Sequence, residues 1–287
     1  MSKIFAAYAG ISDPGDLISE FDEAKDAQDM EDARIQGKEA QSKIVRSKNE
    51  DFLKLTELGD DGLLSIVADG SGSGNAGFQP AGIIANNITK SIKRLYARDK
   101  KTLFEHMPIF LEEACLAANE ALVAFKIGNE ELYGGFASTV TGFLLHRSGN
   151  ACLFHAGNSR LYFIRDGKIL QVTKDQTEGQ ALLDKGIFKS DEEYYMSAER
   201  LRLRNGLGVF ADPYVVTGKF VMKQSDVAVL TTDGVHYSIN QDAIRDTVLA
   251  SQSPDQACQL IVEESLKMNA YYKDNITIAV VQYLGGV

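Results

Sequence analysis

The sequence is poor in cysteine, and the few cysteines that it has form no pattern. Cys115, Cys152 and Cys258 are an odd number of residues at unrelated spacings. Two of them lie in apolar contexts, which is typical of small core residues in a reducing compartment. We therefore expect a cytoplasmic protein.

Long apolar runs and an excess of positive charge are also missing. No run approaches the length that spans a bilayer. Residues 1–10 are faintly like a signal peptide, but acidic residues follow soon, so we expect a first strand at 4–9 instead. The chain has 30 Lys and Arg against 40 Asp and Glu, a net charge of −10. This balance argues against nucleic acid or an anionic membrane surface as the main partner.

Most of the excess acid lies in one segment, about 16–41. A solvated helix or a partly mobile insertion explains it better than a docking element for a partner, although both interpretations stay open.

The remaining composition, with 44% hydrophobic and 24% charged residues over 287 positions, is typical of a soluble globular protein with a sizeable core. We interpret 53–62 as a polar link and 176–208 as irregular. Strands joined by short turns, with helices in separate blocks, predict an α+β fold with antiparallel sheets. The apolar patterns predict helices at 81–97, 102–126, 241–249 and 254–268, and strands at 63–69, 137–146, 151–155, 159–165, 168–172, 215–221, 227–232 and 275–283.

A glycine-rich loop follows the strand at 63–69 and spells GxGxxG over 72–77. It could be a dinucleotide fingerprint. That unit needs a second strand ending in an acid about 20 residues further on, whereas Asp99 lies between two helices. A buried Asp69 just ahead of the loop would also repel a pyrophosphate. A nucleotide-binding oxidoreductase is therefore disfavoured.

Acidic residues at strand ends are the more informative pattern. Asp69 and Asp233 each end an apolar run, Asp274 opens another, and Glu50 and Asp51 lie in an extended segment. Each alone could be an ordinary turn residue. Together they predict a cation, because gathered carboxylates repel one another unless a cation neutralises them. Oxygen ligands without nearby His or Cys favour Mg²⁺ or Mn²⁺ over zinc.

With these motifs in view, almost the whole chain resembles the metal-dependent PP2C-type (PPM) protein serine/threonine phosphatases, especially the bacterial ones. Six motifs occur in the order of that family. They are Arg46-Ser47-Lys48-Asn49-Glu50-Asp51, Val67-Ala68-Asp69-Gly70, Gly135-Phe136-Ala137-Ser138-Thr139, Ala156-Gly157-Asn158-Ser159-Arg160, Thr232-Asp233-Gly234 and Lys273-Asp274-Asn275-Ile276-Thr277.

The resemblance implies one catalytic domain over 1–287, a four-layer αββα sandwich of two antiparallel sheets flanked by helices. Two divalent metals, Mn²⁺ or Mg²⁺, would lie at one end. By motif match, Asp69 would bridge both metals and Gly70 would lend its carbonyl. Asp233 and Asp274 would hold one metal, and Asp51 would lie in the shell of the other through water.

Two further residues are assigned beside the metals. Glu50 would lie next to Asp51, and Arg46 would bind the phosphate of the substrate, a role that suits its planar guanidinium. A water activated between the two metals would then attack the phosphorus of phosphoserine or phosphothreonine in a protein substrate. The segment 176–208 would form the variable flap beside the site, where substrates are selected.

The chain departs from the family pattern at three places. Asn158 replaces the aspartate that holds a third metal, which makes that metal doubtful. Ser71 stands where relatives carry His or Met, so no general acid can be assigned. The acidic segment 16–41 separates Ser12-Asp13-Pro14-Gly15 from Arg46, whereas bacterial relatives join these two elements closely. These departures motivate an alternative, a weak or inactive PP2C-like domain that binds a phosphoprotein or partner as a regulator. We expect His155 and His236, which lie near the motifs, to be structural.

Overall fold

The fold is given by a computed structural model, which describes residues 5–13, 49–72, 80–127, 135–208, 213–268 and 274–286. The acidic segment 16–41, Arg46 and most of the glycine-rich loop lie outside these ranges.

The first sheet contains strands from the beginning, the middle and the end of the sequence. Its five strands are antiparallel in the order β1-β11-β10-β7-β8. Their bounds are β1 Ala6–Asp13, β7 Arg160–Arg165, β8 Lys168–Gln171, β10 Val227–Thr231 and β11 Ile276–Tyr283.

The second sheet is also antiparallel, in the order β2-β3-β5-β6-β9, with the short β4 paired to β3. The prediction of a polar link after Phe52 was wrong, because residues 51–58 form the edge strand β2. Phe52 packs toward the helices while Leu53 and Leu55 pack toward the other sheet. The bounds are β2 Asp51–Leu58, β3 Gly62–Ser71, β4 Ala137–Ser138, β5 Val140–His146, β6 Asn150–Ala156 and β9 Val216–Val221.

Helices cover the outer face of each sheet. The helix α1 bends at Asp99, whose backbone is extended (φ −160°, ψ 86°) and whose carboxylate caps the next turn by accepting from the Thr102 N–H. The segment after β8, expected to be irregular, contains three short helical turns. The bounds are α1 Pro80–Glu105, α2 Met107–Lys126, α3 Glu178–Asp184, α4 Asp191–Met196, a 3₁₀ turn Ala198–Leu201, α5 Asp233–His236, α6 Gln241–Ala250 and α7 Pro254–Met268.

Three hydrophobic clusters fill the spaces between the resulting layers. Alternate residues of each strand face opposite ways. On β3, Leu64 and Ile66 pack under α1 and α2, while Leu63 and Val67 enter the space between the sheets. A third cluster packs α6 and α7 on the first sheet. Two antiparallel sheets flanked by helices confirm the expected fold. Among the described residues, every helix is too short or too polar to cross a bilayer.

Candidate metal centre

The strands β2 and β3 place two carboxylates side by side at one end of the second sheet. Asp51 begins β2 and is paired directly with Asp69 near the end of β3. Directly opposed residues in an antiparallel pair lie on the same face, with Cβ atoms about 4.5–5.5 Å apart. Asp51 is buried and Asp69 is half-buried. Register alone therefore brings together two residues that are distant in sequence.

The first sheet contributes two more acids at the same end. Asp233 follows β10, and Asp274 lies two residues before β11, which pairs with β10. The Thr232 N–H donates to the Thr277 carbonyl at 3.0 Å. A Cβ on Gly234 would collide with the carbonyl oxygen of Asn275. The turn that carries Asp233 and the turn that carries Asp274, called here the two acidic turns, thus pack directly against each other.

Hydrogen bonds connect the acidic ends of the two sheets. The Thr232 hydroxyl donates to Asp51 Oδ2 at 2.7 Å, and the Glu50 N–H donates to Asn275 Oδ1 at 2.8 Å. Asp51, Asp69, Asp233 and Asp274 consequently share one end of the sandwich, as their positions at strand ends suggested. The roles of these residues stay predictions.

The Asp233 carboxylate has the features of a cation ligand. It is 8% exposed, and its Oδ1 atom is buried without a hydrogen-bond partner among the described residues. Its Oδ2 accepts from Asn158 Nδ2 at 3.2 Å. A buried charge with an unsatisfied oxygen is costly unless a cation or a donor meets it. The donor set around it, carboxylate and carbonyl oxygens, fits Mg²⁺ or Mn²⁺.

The described residues include no group of three or more His, Cys, Asp or Glu side chains that could hold a metal ion. Gly70 lies at the same end, where a side chain would meet the Glu50 carbonyl at 2.8 Å. Only a glycine allows β2, β3 and Pro80 to approach so closely.

Thr139 is a supporting residue that sequence reasoning did not single out. Its hydroxyl accepts from the Asp69 N–H at 2.9 Å, and its own N–H donates to the Asp69 carbonyl at 2.8 Å. The same hydroxyl is hydrogen-bonded to the Ser159 hydroxyl at 2.7 Å. Thr139 therefore fixes Asp69 relative to the loop that carries Asn158. Its place in the third motif was the available signal.

The segment 176–208, predicted to be the flap, contacts a buried ion pair that precedes it in the chain. Arg160, next to the Asn158 loop, donates to Asp175 at 2.8 Å from Nε and at 2.7 Å from Nη2. Tyr194 in α4 donates its hydroxyl to the same carboxylate at 3.1 Å. The Tyr237 hydroxyl, just after α5, donates to the Arg200 carbonyl at 3.0 Å. The flap is thereby attached to the elements that carry Asn158 and Asp233.

Both histidines near the motifs are buried and hydrogen-bonded to a threonine hydroxyl. His236 Nδ1 lies 2.9 Å from the Thr231 hydroxyl, while its Nε2 has no partner among the described residues. His155 is bonded through Nδ1 to the Thr141 hydroxyl at 2.8 Å and through Nε2 to the Lys174 carbonyl at 3.0 Å. Burial lowers the pKa of His155 to about 4, against smaller opposing effects of the Lys174 carbonyl and Asp175. Burial also lowers the pKa of His236, with Arg160 and Arg200 adding to the shift. Both are therefore neutral at pH 7.

The buried His155 predicts a loss of stability in acid. Its pKa is about 4 in the folded chain and about 6.5 when unfolded. The stabilisation is therefore complete above pH 6.5 and is lost as the pH falls toward 4, by up to about 1.4 kcal/mol per pH unit. His155→Gln should flatten that slope in urea titrations at pH 4–7. His106→Gln, at an exposed position, is the control, and equal slopes in both variants would contradict the assignment.

The packing of the two acidic turns predicts that Gly234 cannot be replaced. Gly234→Ala should lower the free energy of unfolding by about 1–3 kcal/mol, because its methyl group would displace the Asn275 carbonyl. Gly218→Ala in β9 is the matched control, since there the new Cβ would lie 3.4 Å from Leu153 in ordinary contact. Urea denaturation of both variants provides the measurement. Equal losses would mean that the Gly234 contact is easily relieved.

Known proteins that are similar to this chain are found by sequence and by structure. No family model matches the chain. The serine/threonine protein phosphatase PstP of Mycobacterium tuberculosis is 28% identical over 238 residues, 83% of this chain. A putative protein phosphatase 2C-type of Streptococcus pyogenes is 26% identical, covering 82% of this chain and 92% of its own length.

The solved structure of PstP/Ppp from M. tuberculosis superposes with a TM-score of 0.73 at 23% identity, covering 98% of this chain and all of the other. The chain is a homologue of the bacterial PP2C-type phosphatases. The catalytic domain of the serine/threonine protein phosphatase PstP has also been solved in complex with two manganese ions. That structure superposes with a TM-score of 0.72 over 97% of the present chain at 22% identity. The chain spans only 42% of the full length of PstP.

Proposed function

We propose that this chain is a metal-dependent protein serine/threonine phosphatase of the PP2C type, formed by a single catalytic domain over 1–287. The observation that carries the proposal is the buried Asp233 Oδ1, which has no hydrogen-bond partner among the described residues. It lies at the end of the sandwich that also carries Asp51, Asp69 and Asp274. A domain that only bound phosphoproteins would have no evident use for this costly cluster. The names of the relatives support the same function.

Two Mn²⁺ or Mg²⁺ ions would be held by Asp69, by Asp233 with Asp274, and by the Gly70 carbonyl, with Asp51 acting through water and Glu50 beside it. Bound divalent cations supply the acidity that makes water a nucleophile near neutral pH. Thr232 orients the Asp51 carboxylate by a hydrogen bond, and Thr139 fixes the backbone of Asp69. The two manganese ions of the PstP catalytic domain support this assignment.

The substrate would be a phosphorylated protein. Arg46, outside the described residues, would bind the phosphate, and the anchored flap over 176–208 would contact the residues around it. A cytoplasmic location is part of the proposal, supported by three buried free cysteines. Burial raises the pKa of the Cys115 thiol, which keeps that thiol unreactive.

The test is hydrolysis of an aryl phosphate and of a phosphothreonine peptide by the full chain, with Mn²⁺ and with a chelator. We expect turnover of both substrates with Mn²⁺ and none with the chelator. A folded chain that shows no metal-dependent hydrolysis at any Mn²⁺ concentration would contradict the proposal and favour an inactive, phosphoprotein-binding homologue.

A further inference from the structure

The contact between Asn158 and Asp233 joins two buried side chains at the candidate metal centre. Asn158 is 3% exposed and Asp233 is 8% exposed. We propose that Asn158 is a positioning residue, which holds one oxygen of Asp233 so that the other is presented to the cation. The inference rests on the metal centre of the proposed function and names a residue outside its ligand set.

The loop around Asn158 is fixed on both sides. Gly157 has a φ of +115°, and a Cβ there would meet Thr139 Cβ at 2.7 Å. Its N–H donates to Gln176 Oε1 at 2.7 Å, and the next residue but one, Ser159, is bonded to the Thr139 hydroxyl. Only glycine suits this backbone. The Asn158 side chain is therefore delivered to Asp233 from a rigid loop.

The chemistry of the two side chains determines which atom donates the hydrogen bond and which accepts it. An ionised carboxylate only accepts hydrogen bonds, so the Asn158 amide must donate its N–H to Oδ2. With that bond made, Oδ1 is the oxygen that has no partner among the described residues. One oxygen is thus satisfied by the protein and one is directed to a cation. Because Asn158 is neutral, the buried pair carries one negative charge rather than two.

This neutrality predicts opposite effects for two substitutions. Asn158→Leu keeps the volume and removes the donor, so Asp233 loses its orientation and should bind Mn²⁺ more weakly. Asn158→Asp places a second carboxylate beside the first, and the two repel unless a cation or a proton is shared between them. That variant should be less stable without metal and should gain more from Mn²⁺ than the wild type.

The experiment measures Mn²⁺ binding by calorimetry and thermal unfolding in chelator and in Mn²⁺, all without substrate. Asn158→Leu should weaken the Mn²⁺ affinity about 10- to 100-fold, the usual effect of losing a partner of a metal ligand. Asn158→Asp should lower the Tm in chelator and show a larger Mn²⁺-induced rise than the wild type. Asn158→Ala replaces the leucine variant if that variant does not fold.

The control is Asn150→Leu, an exposed position at the start of β6. Wild-type Mn²⁺ affinity in Asn158→Leu, or equal Tm losses in all Asn158 variants with and without Mn²⁺, would overturn the inference and leave Asn158 as a packing residue. A wild type that binds Mn²⁺ but hydrolyses nothing would contradict the proposed phosphatase function alone. The two failures are therefore distinguishable.

Discussion

Asp233→Asn is expected to reduce Mn²⁺-dependent hydrolysis at least about 100-fold, the usual scale for removing one group that stabilises transition-state charge. The substitution keeps the size of the side chain and allows the Asn158 amide to keep an oxygen acceptor. It removes the negative charge of the proposed cation ligand. The measurement is the rate of aryl phosphate hydrolysis at saturating Mn²⁺.

The stability of that variant provides an internal check. Because a buried negative charge is replaced by a neutral amide, the Tm in chelator should not fall, whereas the Mn²⁺-induced rise in Tm should shrink. Asp255→Asn, at an exposed position in α7, is the control for loss of one negative charge. Asp69→Ala should reduce the activity similarly. Full activity in Asp233→Asn or Asp69→Ala would show that the cation site has been assigned to the wrong residues.

Asp175→Ala is expected to lower the free energy of unfolding by about 3–5 kcal/mol, because it leaves the Arg160 charge buried and unpaired. The side chains of this pair are 6% and 0% exposed. Tyr194 would lose its acceptor as well, so the flap should be released from the Asn158 loop. Urea denaturation gives the energy, and limited proteolysis within 176–208 reports the release.

A neighbouring ion pair provides the matched control. Lys174 and Asp184 are 2.7 Å apart but are 64% and 45% exposed. Exposed pairs contribute only about 0–1 kcal/mol, so Asp184→Ala should have little effect. A comparable loss in both variants would mean that removal of charge, rather than burial of the partner, decides the outcome.

Local patterns were sufficient to predict most of the sheets and helices. Strands such as β10 and β11 are short, rich in β-branched residues and bounded by turn residues. The strand β2 was not predicted because both of its faces are covered. Phe52 and Leu53 are therefore adjacent apolar residues, which break the alternation of apolar and polar residues that indicates a strand. The flap helices escaped because they are short, although Thr177 and Ser190 cap them by accepting from Gln180 and Glu193. These capping residues were the signal in the sequence that could have predicted the short helices.

The partners within the candidate site could not be predicted from the sequence. Asn158 and Asp233 are 75 residues apart, and Thr232 and Asp51 are 181 residues apart. Positions at strand ends indicated that the acids could share one edge, because strand ends meet there. They gave no information on which oxygen meets which donor, since that depends on the loop backbone at Gly157 and on the packing at Gly234.

The last strand of the chain lies inside its sheet, between β1 and β10. Among the described strands β1 pairs only with β11, so it cannot join the sheet before residues 276–283 have been synthesised. Ser12 and Thr277, which share a hydrogen bond of 2.8 Å near the acids, are 265 positions apart. A nascent or prematurely terminated chain consequently lacks both Asp274 and the strand that supports it. A chain truncated before residue 274 should therefore bind Mn²⁺ more weakly than the full chain and lack the proposed hydrolysis.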